Sequence, residues 1–537
     1  MNSPSPRGDA SASGASFDAI FIGSGIGCLG AAAVLARHGM KVLVLEQHSI
    51  AGGMTHTFRR KGYEWDVGVH CLGKVHDPNA QLRQVFDFVT DGALGWARMA
   101  PVYDRLVFSD RSYDFIAGAE AFQEELGRAF PSERKAIATY LGLLRGVERA
   151  SQRYFIQHVL PRWMTPLTYP VLGWPFRRHS NRTTGDVLRS LTSDSRLLGV
   201  LTGQWGNYAL PPGESSFAMH ALMAEYYLEG GCYPVGGAGS ILDTIAPVIT
   251  RAGGQLRVRA EVKEILVRDG RALGVRLTSG EDLLARHVIS GAGAARTLGV
   301  LLPERWRPSE AVRALQRIPQ SIGHLGLYLG LRGSPAEVGL PATNVWVHAG
   351  YDHDANLRAF RNDASSPLPV VYLSSSSARD PAWTQRHPGR STLTAVCPAP
   401  YSWFERWEGT RWHRRGPEYE ALKAQLTERL LSVVFDQFPQ LRGRVEHQEL
   451  STPLSTAHFA HRPRGSIYGL EHSPERFRQP WLRSRLPIRD LLLVGQDAVS
   501  VGVGASLMSG VLAASVILRR NVLGDIERQS SAYRRAA

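Results

Sequence analysis

Residues 22 to 30 read Ile-Gly-Ser-Gly-Ile-Gly-Cys-Leu-Gly, and two glycine registers compete there. In one, Gly23, Gly25 and Cys28 follow directly from an apolar run; in the other, Gly25, Gly27 and Gly30 fit the G-x-G-x-x-G spacing literally. The first is preferred. One glycine is wanted where a strand ends and another where backbone approaches a pyrophosphate, while the third position needs only to be small, as Cys28 is. Such a turn offers free N–H groups and the positive end of a helix dipole to an anion. Glu46, 23 residues beyond Gly23, suits a carboxylate accepting hydrogen bonds from a ribose. Together these are the parts of a dinucleotide-binding site.

The elements that must position them can be read in order. "FDAIFIGSGIGCLGAAAVLARHGMKVLVLEQ", Phe17 to Gln47, is strand, Gly-rich turn, helix and strand, a βαβ unit of parallel-sheet type. A second block, "GGAGSILDTIAPVITRAGG", is a helix stopped at Gly253 and followed by strands, with a hairpin turn at Asp269-Gly270. The third, "IRDLLLVGQDAVSVGVGASLMSGVLAASVIL", is a buried strand, a turn and a helix. These give an α/β, Rossmann-like domain built from discontinuous segments, 17–76, 229–296 and 481–525. An α+β domain is inserted in two pieces, 77–228 and 297–480. The first piece reads as mostly helical. The second opens with strands such as "IGHLGLYLGL", where Leu325, Leu327 and Leu329 alternate as one sheet face does. It continues into a helix from Pro417 striped by Leu422, Leu426 and Leu430.

Composition narrows the function classes. The 537 residues are 43% hydrophobic and 20% charged, as expected for a globular chain of more than one domain. Net charge is +14, mostly from scattered Arg, with no nucleic-acid-binding module; a nucleic-acid partner is not expected, and an anionic membrane surface is the alternative the charge allows. Cys28, Cys71, Cys232 and Cys397 have neither metal-ligand nor disulfide spacing, so no metal is expected and a reducing, cytoplasmic compartment is. Residues 1–16 lack the apolar core of a signal peptide and read as a disordered leader.

From Val499 to Leu518 there is no charge, a length just sufficient to span a bilayer. Its Gly, Ala and Ser, next to Gln496 and Asp497 at a strand-to-helix turn, favour a helix packed on a cofactor and a sheet.

"EQHSIAGGMTHTFRRKGYEWDVGVH", with "YPVGGAGSILDTIAPVITRAGG" and "LLLVGQDAVSVGVGASLMSG", resembles the FAD-dependent amine oxidase and phytoene desaturase superfamily, most of all its retinol saturase and carotenoid isomerase branch. The resemblance implies an FAD-binding domain of the amine oxidase type and the following roles. Gly23, Gly25 and Gly27 line the pyrophosphate; Glu46, with Gln47 beside it, takes the adenosine ribose. Gly53, Met54 and Thr55 lie along the cofactor, and the main chain of Val262 meets the adenine. Asp497, in the Gly495-Gln496-Asp497 turn, bonds the ribityl chain or the pyrophosphate. The helix after Val501, carrying Gly504, aims its N-terminus at the flavin pyrimidine.

His70 falls near the flavin ring in this register, as a catalytic group or a packed structural histidine. Tyr233 and Tyr468 either line a substrate cavity or pack in the core. Hydride transfer chiefly needs a carbon held against the ring, so no acid–base dyad is required. "SGAGAART" imitates a second dinucleotide motif but belongs to the same domain; no NAD(P) site is expected, and electrons would come from a partner, a quinone or a diffusing reductant. "FIQHVLPRWMTPLTYPVLGWPFRRHS", residues 155–180, mixes aromatic and basic residues as a membrane interface does, and its prolines prevent a long helix. It is either a peripheral contact with the inner face of a membrane, through 155–178, or a wall of the helical region. The expected activity is on C=C bonds of an apolar polyene or isoprenoid: a saturase, alternatively an isomerase or a desaturase. A reading from another class is a prenyl-protein binder of the Rab GDP-dissociation inhibitor type.

Overall fold

A computed structural model describes residues 17–536; the expected leader, 1–16, lies outside the described residues. The Gly-rich turn sits at the edge of a seven-stranded sheet. β1 (Phe17–Ile22) lies between β2 (Val42–Leu45) and β12 (Asp282–Ser290), and β9 (Gln255–Arg257) lies outside β2. β18 (Leu491–Leu493) pairs with the end of β12, whose start continues into a meander with β11 (Arg271–Leu277) and β10 (Val262–Arg268). The expected turn at Asp269-Gly270 separates those two. Leu45, Ile22, Ser290 and Leu493 stand side by side in parallel register, so the carboxyl ends of four strands open on one edge. In open α/β sheets that edge is where ligands bind.

Three helices cover one side: α1 (Ile26–Arg37), α3 (Gly239–Arg251) and α5 (Val503–Leu518). α1 is buried from Ile26 through Ala36, which its Ala-rich sequence permits. Small residues also set the approach of α1 to α5. A Cβ on Gly27 would lie 2.8 Å from the Ser506 carbonyl oxygen, and one on Gly510 would overlap the Gly27 carbonyl. The charge-free stretch is thus this packed helix, followed after a 110° bend by Val522–Ser530; no single helix among the described residues is long and apolar enough to cross a membrane.

The second seven-stranded sheet runs β17 (Val445–Ser451), β13 (Gly323–Arg332), β16 (Arg390–Ala399), β15 (Val370–Ser374), β14 (Asn344–His348), β6 (Val102–Val107) and β7 (Ser112–Ile116). One face carries Leu325, Leu327, Leu329 and Leu331 and packs on Leu426 and Leu430 of α4 (Pro417–Gln437). Leu422 packs only at its margin. The other face meets the helical region around α2 (Arg134–Val159), whose Ile137, Tyr140, Leu144 and Tyr154 point inward.

The region 77–228 is less purely helical than its sequence suggests. β6 and β7 form a hairpin that extends the second sheet, with β6 parallel to β14. The side chains of β7, the outer strand, alternate between buried and open, because only one face of that edge is covered. β5 (Trp96–Arg98) pairs with β8 (Cys232–Pro234), and β3 (Thr57–Arg60) with β4 (Tyr63–Asp66). The prolines of 155–180 break up the helix as expected. Pro166, Pro170 and Pro175 each start a short helical piece, where no N–H is needed, and the middle piece is a π turn.

The α1–α5 contact yields a direct test. Gly510→Val places two methyl groups where the Gly27 backbone already lies, and overpacking of this kind costs about 3 kcal/mol or more. A fall in melting temperature of about 3 °C by circular dichroism is expected.

Candidate functional site

At the level edge of the first sheet the chain turns through glycine after glycine. Gly23 (φ 90°) follows β1, Gly291 follows β12 and Gly495 (φ 92°) lies just beyond β18. From the facing loop, Gly53 comes so near that a Cβ on it would lie 3.0 Å from the Gly25 Cα. Gly23, Gly25, Gly53, Gly291, Gly293 and Gly495 all keep part of their surface open. The product is a trough walled by bare backbone. Gly25 caps α1 without any side-chain hydrogen bond, so the first-turn N–H groups face the trough without intrahelical acceptors and suit an anion. Gly27 instead faces α5, so its smallness serves helix packing.

Glu46, buried at the end of β2, clamps this turn. Its Oε2 accepts from the Ser24 N–H at 2.9 Å and the Ser24 hydroxyl at 2.6 Å, and its Oε1 accepts from the His48 N–H at 2.8 Å. Ser24 Oγ accepts in turn from the Gly52 N–H at 2.9 Å. One carboxylate therefore ties the Gly-rich turn to the Gly52-Gly53 loop. Ser24 is a residue that the motif spacing passes over; the signal was a hydroxyl between the first two glycines. Gln47 is half-buried beside Glu46, and the Ala260 N–H bonds the Glu46 carbonyl, bringing the approach to Val262 alongside. Thr55 is buried, its hydroxyl donating to the Gly52 carbonyl at 2.7 Å, and Met54 packs against Gly68.

Asp497 forms the second clamp. Its Oδ2 accepts from the Ala294 N–H at 2.7 Å, and its Oδ1 accepts from the Leu470 N–H at 3.0 Å and faces Arg476 Nη1 at 3.5 Å. The Arg476 guanidinium also donates to the Gln496 carbonyl at 2.6 Å. Asp497 thus joins the ends of β12 and β18 and the 465–470 loop. The Gly495 N–H donates to Ser509 Oγ on α5 at 2.7 Å. Gly504, in the first turn of α5, leaves room for Leu82 and Tyr226.

Beyond the trough lies the polar face of the second sheet. Val396, in the middle of β16, stays half-open although strands flank it on both sides, so that face is incompletely covered. His70, Cys71, Ile322 and Tyr468 are likewise half-open in the interior. The His70 ring meets the Tyr372 ring edge-on at 5.0 Å. Arg379 holds the His70 carbonyl at 2.8 Å and donates to Asn344, whose own amide donates to Asp104 at 2.6 Å. Burial, then the Arg379 charge and His324, push the His70 imidazole down to about 3, so it is neutral. Tyr468 is set here by its N–H bond to Ser321. Tyr233 is not half-open: it is 1% exposed and donates to Asp66 at 2.6 Å.

Known proteins resemble this chain. A family model of flavin containing amine oxidoreductases matches residues 29–518. The chain is 35% identical to an all-trans-retinol 13,14-reductase of Danio rerio, over 94% of this chain and 86% of that one. It is 27% identical to a chloroplastic prolycopene isomerase of Arabidopsis thaliana, over 94% and 84%. The solved cyclohexylamine oxidase of Brevibacterium oxydans superposes with a TM-score of 0.58 at 18% identity, covering 96% of this chain and 99% of that one.

The interior histidines have a measurable consequence. Burial pushes His220 down to about 3 and His324 and His353 down to about 4, whereas an unfolded histidine titrates near 6.5. The unfolded chain therefore takes up protons first, and stability is lost as pH falls below about 6.5. His348 and His472 are lowered further, again by burial. Burial raises Asp66 to about 6 and Glu471 to about 7, which acts in the opposite sense but involves fewer groups. The urea midpoint should drop between pH 6.5 and 5, by about 2 kcal/mol of stability. A flat profile would mean that these imidazoles carry charge in the folded protein.

Proposed function

Because the chain belongs to the family of flavin containing amine oxidoreductases, we propose that its trough holds FAD and that it saturates a C=C bond of an apolar polyene of the retinoid or carotenoid kind. The observation that carries this is the meeting of four strand ends and two carboxylate clamps in one bare-backbone trough, with an incompletely covered sheet face beyond it. The names of the two curated relatives supply the substrate class. FAD, once reduced by an external donor, would supply the hydride that one alkene carbon takes, and the other carbon would take a proton.

The chain's own residues do the holding. The first turn of α1 and Gly25 take the pyrophosphate. Glu46 keeps lone-pair capacity for the ribose, with Gln47 beside it, and the Val262 main chain faces the adenine. Gly53, Met54 and Thr55 flank the cofactor. Asp497 acts at the ribityl end through the Gly293-Ala294 and Gly495-Gln496 backbone that it fixes, and α5, with Gly504, points its dipole at the pyrimidine. His70 and Tyr468 border the substrate carbon. On this reading 17–76, 229–296 and 481–525 make the flavin domain, and 77–228 with 297–480 the substrate domain. Redox-neutral isomerisation is the second reading, favoured by the prolycopene isomerase relative. The prenyl-protein binder finds no support.

The substrate would be drawn from a membrane. Ile156, Trp163, Leu167, Val171 and Trp174 are between 51% and 75% exposed and fall within 19 residues of one another. Arg178 lies over the Trp174 ring and Arg177 over the Tyr169 ring; the Arg162 side chain lies outside the described residues. Exposed indoles and aliphatics edged by cations fit an anionic bilayer surface, and the net charge of +14 favours it. The four cysteines are free, which supports the cytoplasmic side.

Reduced, anaerobic enzyme given an all-trans polyene should return a product heavier by two hydrogens, and an unchanged mass with altered geometry selects the isomerase; with oxidised enzyme, a loss of two hydrogens selects a desaturase. Glu46→Ala should lower flavin occupancy, read as visible absorbance per protein, at least about ten-fold, the order expected when hydrogen bonds to a charged group are lost. Undiminished yellow colour would remove Glu46 from the site. In flotation with vesicles of phosphatidylserine and phosphatidylcholine, the native protein should rise with the lipid and Trp163→Ser/Leu167→Ser/Trp174→Ser should not.

A further inference from the structure

Two buried carboxylates, Glu46 and Asp497, border the trough. Both repel an anion bound between them, and backbone N–H groups bring only partial charges to offset that. A full cation is therefore wanted there. Arg476 is already spent, on Asp497 and on the Leu470, Gln496 and Asp497 carbonyls. Arg296 is paired with Glu261 at 3.0 Å.

Arg462 is placed differently. It follows the short helix Pro453–Ala460, outside the flavin-binding segments proposed above. A Cβ built on Gly293 would lie 3.5 Å from Arg462 Nη1 and 3.1 Å from Asp497 Oδ2, so the guanidinium reaches the trough rim beside the second clamp. Three residues earlier, the Phe459 ring meets the His48 ring at 6.2 Å, edge-on, so the same stretch also lies at the Glu46 end. Arg462 is thus carried across the trough between its two clamps. Its side chain is half-buried, and none of its nitrogens is both unpartnered and sealed from solvent. Among the described residues no carboxylate, carbonyl or hydroxyl holds it by an ion pair or hydrogen bond; Asp497 acts on it only through space, opposing the downward pull of burial on its guanidinium. The turn that aims it is strained. His461 and Arg464 have φ of 49° and 51°, a conformation that residues with a Cβ keep where the surrounding structure or a site demands it.

We infer that Arg462 is a cofactor-binding residue whose guanidinium pairs with the pyrophosphate of the dinucleotide. The inference rests on the FAD reading and adds to it a ligand from a distant segment. A guanidinium presents parallel N–H donors that match phosphate oxygens, and its charge offsets the two clamps.

The test is equilibrium binding to the full chain stripped of flavin: FAD and riboflavin by quenching of flavin fluorescence, ADP by displacement of FAD. Arg462→Gln should weaken FAD and ADP alike, at least about ten-fold, the order of one charge-assisted hydrogen bond. Riboflavin, which carries no phosphate, should bind as before. Arg462→Lys should recover part of the loss, because the charge stays while the fork is gone. Melting temperatures without flavin, equal to that of the native chain, report that each variant is folded. Native affinity for FAD and ADP in Arg462→Gln overturns the inference. An equal loss for riboflavin also overturns it, leaving Arg462 a structural residue. If the native chain binds neither FAD nor riboflavin, the underlying reading falls and takes this inference with it.

Discussion

Everything at the candidate site depends on four strands ending level. β1 and β2 are near neighbours in the chain, whereas β12 and β18 come from parts hundreds of residues away, yet Leu45, Ile22, Ser290 and Leu493 stand in one row. Register in a sheet is held by which side chains face the core, and a slip of one residue would invert each strand. Here both faces are buried toward the strand ends, so Phe21-Ile22, Val44-Leu45, Val288-Ile289 and Leu492-Leu493 are apolar and the row is held by packing on both sides. Only with the strand ends level can glycines from three segments face one another across a space a few ångströms wide. A side chain at Gly53 would press on Gly25, which is why that space is lined with backbone.

Charge at such a site has to be satisfied before any ligand arrives. Glu46 and Asp497 are both buried, and an isolated buried carboxylate is too costly to keep ionised. Each is held mainly by backbone N–H groups, and Asp497 has Arg476 near it as well. The N–H groups in question belong to the turns that form the trough. The carboxylates therefore fix the turns through these bonds, and a carboxylate's remaining lone pairs stay available to a hydroxyl. Ser24 makes this arrangement economical, because its hydroxyl donates to Glu46 while accepting from Gly52.

How far the sequence discloses this depends on the range of each interaction. The βαβ unit, the Asp269-Gly270 hairpin, the helix from Pro417 and the alternating leucines of β13 are local patterns, and each is present where the pattern places it. The convergence of the three segments came from resemblance, since nothing in residues 17–47 points to residues 491–497. Gly27 shows the limit of motif reading: a glycine inside a phosphate-binding pattern is small for the sake of Ser506 and Gly510, on a helix near the other end of the chain. Tyr233 shows it again, because an aromatic beside glycines could be half-open or buried, and only Asp66 across the fold decides. β6 and β7 are hidden for another reason. They are a short edge hairpin between long helices, and the helical periodicity around them dominates the reading.

The two faces of the second sheet carry the remaining logic. One face is leucine and closes on α4, so β13 and β16 are held rigidly from behind. The opposite face of the same strands is thereby free to carry groups that a core would not tolerate: His324 with an unmatched nitrogen, the Asp104–Asn344–Arg379 chain, and Tyr372 against His70. A flavin enzyme needs its protein mainly to place one carbon and keep water away, so the reacting end requires no acid–base pair for a sequence to advertise. On the proposed reading, what separates one polyene reaction from another falls to this face, assembled from β6, β13, β14, β15 and β16. Its residues touch only after the sheet has formed, which is why the shared chemistry of the family can be read along the chain while the choice of substrate must be read across it.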